Sequence, residues 1–465
     1  MYRPSLTVLP VFVCLAVALP TVVACDEGPV AEGEGEGEGE GEGEAEAFEL
    51  VASRTIDGAN PLVVPGFAIA ARPDGRFAVA WFEATTDTVE CQLFGGGTVL
   101  GDITVLKVAD EQLDGSVRIR VVDDQVPATK EDAVDMAVSA TGELLITYNG
   151  GDVTNTFCGA SDLMLATEAG DTFSSRTVAA TADTGTPCRG SAGGDPYCAQ
   201  GEVVGLYPGI SVNAEGELAI CYLDSHFGFG DDDINSADLE LATGTPAATS
   251  LRSINLESGA GYYGSVTITD DDTIVLGHLV KGSNQFLDDE GQSYVVEDGI
   301  YAEVLTSEGV LKTTVILPGV ATASRVATGS FGGVHHVLAH QRGTESLFLF
   351  SSSDDGVTWR PSPVEQRGRT GRDPGMVFLD DGTMVLVYGH CRADANSEAC
   401  DARNDGVRLA KQKPAGGFDR FDIRGDAEDL EGISVDVAKS GPREVVAVNL
   451  NASQNTLIVY RVGVR

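Results

Sequence analysis

A two-strand unit that recurs seven times constrains this chain more than any other feature of its sequence. Each copy has an apolar strand, a turn rich in Gly and Asp, and a second apolar strand. Turns such as Pro73-Asp74-Gly75 supply the backbone angles that a tight hairpin needs. Long helical patterns are absent, so the repeats predict an all-β fold. The copies begin at Phe67, Asp135, Gly209, Ser265, Arg325, Gly375 and Ile433.

Most of these hairpins are followed by a third and a fourth apolar stretch, as in DLMLATE and SSRTVAA from Asp162 onward. Four strands per unit predict a β-propeller of four-stranded blades. Seven blades are favoured, and six is the alternative if the irregular stretch 88–124 is assigned differently. The last unit runs out after three strands, and FELVASRTI from Phe48 offers the missing one. We therefore predict that the N-terminal strand closes the ring and removes its exposed edges.

One short segment carries a family resemblance. Residues 352–359, SSDDGVTW, match the Asp-box pattern S-x-D-x-G-x-T-W, and ATEAGDTF at 166–173 is a degenerate copy. The chain thus resembles the sialidase-like propellers that carry Asp-box (BNR) repeats. In that family the turn joins the third and fourth strands of a blade, which implies a structural role for Ser352, Asp354, Gly356, Thr358 and Trp359. The resemblance supports the architecture and says little about activity.

The N-terminal residues have the form of an export signal. Arg3 precedes an apolar stretch, Leu6 to Ala18, that is too short to span a bilayer and ends at small residues. The sequence Val22-Val23-Ala24-Cys25 resembles the lipobox of bacterial lipoproteins, so residues 1–24 are interpreted as a signal peptide and Cys25 as the lipidation site. An ordinary secretory signal is the alternative.

The residues that follow predict a tether. Residues 26–47 alternate Gly with Glu, whose like charges repel and cannot bury apolar surface. Residues 25–47 are therefore a lipidated, disordered linker and residues 48–465 the propeller. We expect attachment to the cell envelope through the N-terminal lipid. Asp26 resembles an inner-membrane retention signal in some bacteria, but that rule is not general, so the outer membrane or cell surface is favoured.

The net charge of −41 restricts the partners. Such a surface repels nucleic acid, so no nucleic-acid partner is expected, while cations and cationic ligands suit it. A carbohydrate or protein ligand and a monomeric state are expected. No cofactor is predicted, although the oxygen-rich loop with Asp231, Asp233 and Asn235 is a weak calcium candidate.

Seven cysteines remain after Cys14 and Cys25. In an oxidising envelope the close pairs Cys188–Cys198 and Cys391–Cys400 are disulfide candidates. The odd count leaves a free thiol, which we assign to Cys221 because it lies within a strand.

Aligned second strands place large polar or aromatic residues in one column, at the end where propeller channels open. This column holds Trp81, Tyr148, Tyr222, His278, His340, Tyr388 and Asn449. Two residues further on, the candidates are Glu83, Asp224, Arg342 and His390, and the segments leading into first strands add Tyr207, Tyr262, Arg325, Arg372 and Asp373. The column is interpreted either as a packing layer between blades or as a ligand-binding mouth.

Two functions follow from these residues. A sialidase-like enzyme needs an arginine cluster, a tyrosine with a glutamate, and an aspartic acid. Arg325, Arg342 and Arg372 are available, as are Tyr148, Tyr222, Asp224 and Glu83. However, ANPLVVPGFA from Ala59 lacks the arginine that opens the family's first blade. We therefore favour a non-enzymatic binding or scaffold protein, with a sialidase-like exo-glycosidase that cleaves terminal sialic acids as the alternative.

Overall fold

Each repeated hairpin forms the two strands of a blade that lie nearest the axis of a seven-bladed ring. The computed structural model describes residues 47–62, 66–92, 98–127, 133–151, 161–180, 188–190, 196–198, 203–225, 237–255, 259–281, 285–287, 293–295, 297–319, 325–341, 346–366, 369–370, 373–391, 406–414, 416–424, 435–451 and 455–465. All of them belong to one unit, Glu46–Arg465. The described residues contain no helix, and hence none that is long and apolar enough to cross a membrane.

The strands are numbered here in chain order. The closing strand is β1 (Phe48–Thr55), and blade 1 has β2 (Phe67–Ala71), β3 (Phe77–Gln92), β4 (Thr98–Glu111) and β5 (Val117–Pro127). Blade 2 has β6 (Val134–Val138), β7 (Leu144–Gly150), β8 (Asp162–Ala169) and β9 (Thr172–Ala179), followed by the ribbon β10 (Cys188–Gly190) and β11 (Pro196–Cys198). Blade 3 has β12 (Val203–Val212), β13 (Leu218–Ser225), β14 (Ala237–Thr245) and β15 (Ala248–Asn255).

Blade 4 has β16 (Tyr262–Ile268), β17 (Ile274–Val280), β20 (Gly299–Leu305) and β21 (Leu311–Pro318), with the ribbon β18 (Gln285–Leu287) and β19 (Ser293–Val295) inserted. Blade 5 has β22 (Ala327–Phe331), β23 (Val334–Gln341), β24 (Ser346–Ser352) and β25 (Arg360–Glu365). Blade 6 has β26 (Arg369–Thr370), β27 (Gly375–Phe378), β28 (Met384–Cys391), β29 (Gly406–Gln412) and β30 (Phe418–Arg424), and blade 7 has β31 (Val435–Gly441), β32 (Glu444–Asn451) and β33 (Thr456–Val464).

The N-terminal strand completes the last blade. β1 pairs antiparallel with β33, from Phe48 opposite Val464 to Thr55 opposite Ile458. Phe48 is buried and stacks on Phe421 of blade 6, with 5.8 Å between ring centroids. The prediction of seven four-stranded blades closed by the N-terminal strand is therefore confirmed. The stretch 88–124 belongs to blade 1, where β3 and β4 continue beyond the blade as a long hairpin.

The core lies between blades, because each blade buries both of its faces against its neighbours. Clusters of apolar side chains fill these interfaces; one joins Trp81 of blade 1 to Val446 and Val448 of blade 7. Small residues permit this close approach. A Cβ at Gly375 of blade 6 would lie 2.8 Å from Val437 Cγ1 of blade 7, so glycine is required there.

First strands of neighbouring blades are joined by side chains that accept backbone N–H groups. Asp135 Oδ2 of blade 2 accepts from Ile210 N of blade 3 at 2.8 Å. Asp436 Oδ2 of blade 7 accepts from Ile69 N of blade 1 at 2.9 Å. Ser265 Oγ of blade 4 accepts in the same way from blade 5. These bonds satisfy backbone N–H donors on the innermost strands and link neighbouring blades close to the axis.

Candidate functional site

The two faces of the ring differ in the length of their connections. First strands begin, and second strands end, at one face, which we call the mouth face. Its connections include those from Ala179 to Val203 and from Cys391 to Gly406. On the opposite face, which we call the short-turn face, the longest described connection runs from Ser352 to Arg360. Long connections carry function more often than tight turns, so the mouth face is the candidate site.

The column of large side chains on the second strands lies near this face but is buried. Its members are at most 3 % exposed: Trp81, Tyr148, Tyr222, His278, His340, Tyr388 and Asn449. The rings of Trp81, Tyr148, Tyr222 and Tyr388 belong to the apolar clusters between blades. These rings pack against the preceding blade instead of facing the channel.

Several polar tips of the column are hydrogen-bonded to carboxylates. Trp81 Nε1 donates to Glu83 Oε1 at 2.8 Å, and the Tyr148 hydroxyl donates to Asp123 Oδ2 at 2.6 Å. Burial raises the pKa of Tyr148 well above its usual value, and the charge of Asp123 raises it further. A hydroxyl held in this way is a poor nucleophile, because its ionised form is disfavoured by both effects.

His278 has a comparable setting in blade 4. Its Nδ1 accepts from Gly261 N at 3.2 Å, and its Nε2 lies 3.3 Å from Glu303 Oε1. The second row of candidates is buried as well, since Glu83, Asp224 and His390 are each less than a tenth exposed. Arg342 and Arg372 lie outside the described residues.

Arg325 is the candidate that reaches the axis. It precedes β22 of blade 5, and its Nη2 donates to Val134 O of blade 2 at 3.3 Å and to Pro208 O of blade 3 at 3.1 Å. Its backbone N–H donates to Asp373 Oδ1 of blade 6 at 3.3 Å. One arginine therefore crosses the mouth and contacts three other blades.

Two carboxylates on first strands, Asp135 and Asp436, face this arginine across the channel. Both side chains are half-buried, because they lie on first strands that are packed against the first strands of neighbouring blades. Burial raises the pKa of Asp436 to about 7, and the negative charge of Asp135 adds to the effect, while backbone N–H groups and Arg325 oppose it. Burial likewise raises the pKa of Asp135. The mouth thus combines a guanidinium with one carboxyl group, Asp436, that changes charge near neutral pH, and a second, Asp135, whose pKa is also raised, which suits recognition of polar or charged groups.

Arg325 and Asp373 are candidates from the sequence, whereas Asp135 and Asp436 become candidates only from the structure. An available signal was the first-strand column, in which Asp135 and Asp436 align with small or apolar residues such as Ala68 and Gly209. A charged residue at an otherwise apolar, axial position is a candidate for function or for inter-blade bonding.

The backbone that leads into the first strands is strained at equivalent positions. Tyr207, Tyr263 and Asp373 have positive φ angles of 48°, 53° and 43°. Each lies two residues before the position equivalent to Asp135. Non-glycine residues in this region cost about 1 kcal/mol or more each and cluster at functional sites. The repeated strain is a second feature that sets the mouth face apart.

The segment 352–359 lies between β24 and β25 and forms a tight turn. Asp354 Oδ1 accepts from Thr358 N at 2.9 Å, and Ser352 Oγ accepts from Gly356 N at 2.9 Å. Hydrogen bonds from the Thr358 hydroxyl and N–H lower the pKa of Asp354 to about 2. Trp359 Nε1 donates to Gly356 O at 3.2 Å. The turn lies on the short-turn face, away from the candidate site.

The remaining candidates are only partly described. Cys188 is directly opposite Cys198 in the ribbon β10–β11. Cys391 ends β28, whereas Cys400 and the calcium candidates Asp231, Asp233 and Asn235 lie outside the described residues. Cys221 is a buried free thiol, as the cysteine count predicts, and burial raises its pKa to about 12. The described part of the chain brings together no group of three His, Cys, Asp or Glu side chains that could hold a metal ion.

No family model and no curated protein matches this chain. Among solved structures, it is similar to a protein of unknown function from Dyadobacter fermentans (9 % identity, 90 % of this chain and 100 % of that one, TM-score 0.48). It is also similar to the Trypanosoma rangeli sialidase in complex with sialic acid (13 % identity, 85 % of this chain and 59 % of that one, TM-score 0.44). A third similar structure is the α-L-arabinofuranosidase Arb93A from Fusarium graminearum (10 % identity, 89 % of this chain and 98 % of that one, TM-score 0.43). At such TM-scores no site residue is carried over to this chain.

Proposed function

We propose that this chain is a lipid-anchored protein of the bacterial cell envelope that binds a polar ligand, such as a carbohydrate, at the mouth face of its propeller. The observation that carries the proposal is convergence: Arg325, Asp135, Asp436 and Asp373 meet at the face that also has the long connections. Charged groups that converge at the concave end of a ring are typical of recognition sites.

The anchor is proposed from the sequence, with lipid on Cys25 and residues 26–47 as a tether. Ala47, the first described residue of the propeller, lies at the short-turn face. Arg465 N donates to Ala47 O at 2.9 Å, and Val464 N donates to Arg443 O, in the turn between β31 and β32. We propose the outer membrane or the cell surface as the location, and Ser352–Trp359 as an Asp-box that stabilises blade 5.

Binding is favoured over catalysis because of how the candidate catalytic groups are engaged. The Tyr148 hydroxyl is buried, and its hydrogen bond to Asp123 together with a raised pKa disfavours its ionised form. The Nη2 group of Arg325 donates its hydrogen bonds to two backbone carbonyls. A sialidase-like exo-glycosidase is the alternative, supported by the position of Arg325 at the mouth.

A fluorogenic sialoside assay and a glycan array, both with the full chain, test these two functions. We expect no hydrolysis, and array binding that Arg325→Gln reduces while the exposed control Arg118→Gln leaves it unchanged. Arg118 is on the outer strand of blade 1 and pairs with an exposed Asp171. Hydrolysis that Arg325→Gln abolishes would establish the glycosidase instead. Array binding unaffected by Arg325→Gln, with an unchanged melting temperature, would contradict a ligand site at the mouth.

A further inference from the structure

Three tyrosines meet at the mouth face between blades 3 and 4. The ring centroid of Tyr207 lies 5.5 Å from that of Tyr262 and 4.8 Å from that of Tyr263, and the latter two are 6.4 Å apart. The three ring planes are tilted by about 50° to one another (48°, 57° and 51°). The three side chains are no more than 6 % exposed. The three rings therefore pack against one another as one aromatic cluster, which we call the cage.

The cage holds a positive charge. The ammonium nitrogen of Lys281 lies 4.1 Å from the ring centroid of Tyr262 and 5.2 Å from that of Tyr263. Both distances are within the range of about 6 Å for a cation–π interaction, which is strongest where the cation is shielded from water. Lys281 directly follows β17, and so it approaches the rings from the mouth face.

The backbone that carries two of these rings is strained. Tyr207 and Tyr263 have left-handed φ angles, and each is preceded two residues earlier by a glycine with positive φ, Gly205 and Gly261. A Cβ at Gly205 would lie 2.7 Å from Leu163 Cα, and one at Gly261 would lie 3.0 Å from Asp238 O. Strain that is repeated in neighbouring blades is typical of positions that serve binding.

We propose that Tyr262 and Tyr263, with Tyr207 packed against both, form a site for the ammonium group of a cationic ligand, and that Lys281 fills this site in the free protein as an exchangeable internal occupant. The inference rests on the proposed function, since it names the class of ligand that the mouth face recognises. A methylated or quaternary ammonium fits best, because it loses less hydration than a primary amine and has fewer N–H donors to satisfy. The net charge of −41 would concentrate such cations near the protein.

Occupancy of the cage by Lys281 should lower its apparent affinity for an external cation by a predictable factor. If Lys281 fills the cage about nine-tenths of the time, it weakens the apparent affinity for an external cation about tenfold, because only the open fraction can bind. Lys281 has the flexible stem and partial exposure that such exchange needs. Removal of the lysine should therefore strengthen binding, whereas removal of a lysine that only supports the fold would weaken it.

Isothermal titration of the full chain with choline chloride tests this inference. We expect Lys281→Ala and Lys281→Gln to bind choline about tenfold more tightly than the wild type does. Lys312→Ala, on the outer strand of the same blade, is the matched control and should behave as the wild type. Tyr262→Leu added to Lys281→Gln should abolish choline binding, and Tyr262→Phe, which keeps the ring, should retain most of it. Melting temperatures verify that each variant is folded.

Choline binding that both Lys281 variants leave unchanged or weaken, in folded protein, would overturn the proposal. So would binding that survives Tyr262→Leu. Failure of the cage is distinguishable from failure of the proposed function. If choline does not bind any variant while a glycan still binds in an Arg325-dependent manner, the cage is refuted and the mouth remains a ligand site.

Discussion

Glu168 holds together a buried ion network between blades 1 and 2, and its removal should be costly. Its Oε1 accepts from Arg72 Nη2 at 2.9 Å and from Arg120 Nη2 at 2.7 Å, and its Oε2 accepts from Arg72 Nη1 at 2.9 Å and from Leu144 N at 3.0 Å. Arg72 and Arg120 also pair with Asp110. The side chains of Glu168 and both arginines are no more than 10 % exposed. Glu168→Gln would leave two buried cations short of charge compensation.

The magnitude follows from the pKa of Glu168. Burial disfavours its charge, but the hydrogen bonds from Arg72, Leu144 and Arg120 outweigh burial and lower the pKa from 4.5 to about 2. That difference corresponds to about 3 kcal/mol of stability. Since the folded pKa is depressed, this stability is present above pH 4.5 and is lost as the pH falls toward 2. Breaking a buried pair by removing one partner typically costs about 3–5 kcal/mol, so we expect about 3 kcal/mol for Glu168→Gln at pH 7.

Urea unfolding followed by circular dichroism measures this loss at pH 7 and at pH 3. The matched control is Asp171→Asn in the same blade, because Asp171 is 79 % exposed and pairs with an exposed Arg118. Such surface pairs contribute about 0–1 kcal/mol. The reasoning is refuted if Glu168→Gln costs no more than Asp171→Asn at pH 7, or if its cost is the same at pH 3.

Three further predictions concern the axis, a turn and the anchor. Because the folded pKa of Asp436 is raised from 3.8 to about 7, the contribution of this carboxyl to stability is greatest below pH 3.8 and should decline by up to about 4 kcal/mol as the pH rises to 7, opposite to the trend from Glu168. As the pH rises across this range, the melting temperature of Asp436→Asn should increase relative to that of the wild type. Gly382→Ala should lower the free energy of unfolding in urea by about 2 kcal/mol more than Gly416→Ala does. Both glycines have a positive φ, but only at Gly382 would an added Cβ collide with a side chain, that of Phe331. Cys25→Ala should move the protein from the membrane fraction to the soluble fraction; membrane association that persists would count against lipidation.

The architecture was accessible from sequence because it depends on local patterns. Alternating apolar residues around a turn such as Pro73-Asp74-Gly75 define a hairpin wherever it occurs, and the missing strand after Val464 identified Phe48–Thr55 as its partner. The chemistry of the mouth is not local in this sense. Arg325 and Val134 are 191 positions apart, and only closure of the ring brings them together.

The second-strand column shows a related limit. Its spacing along β3, β7 and their equivalents is plain in the sequence, but spacing does not reveal which face of a blade the side chains occupy. Both faces of a propeller blade are buried, so the alternation of side chains between the two faces of a strand does not separate an interior face from an exposed one. Trp81 and Tyr148 are placed by contacts with the preceding blade. The repeated Gly-x-Tyr at Gly205–Tyr207 and Gly261–Tyr263 was visible in the sequence and would have pointed to the cage.

The direction of the closing strand shows where the described chain joins the ring. β1 is the outermost strand of its blade, and such strands run from the short-turn face to the mouth face. β1 therefore begins on the short-turn face, where the buried ring of Phe48 stacks on Phe421 of blade 6. Because β1 also pairs with β33 along its length, the closing strand is held both by its own blade and by the neighbouring one.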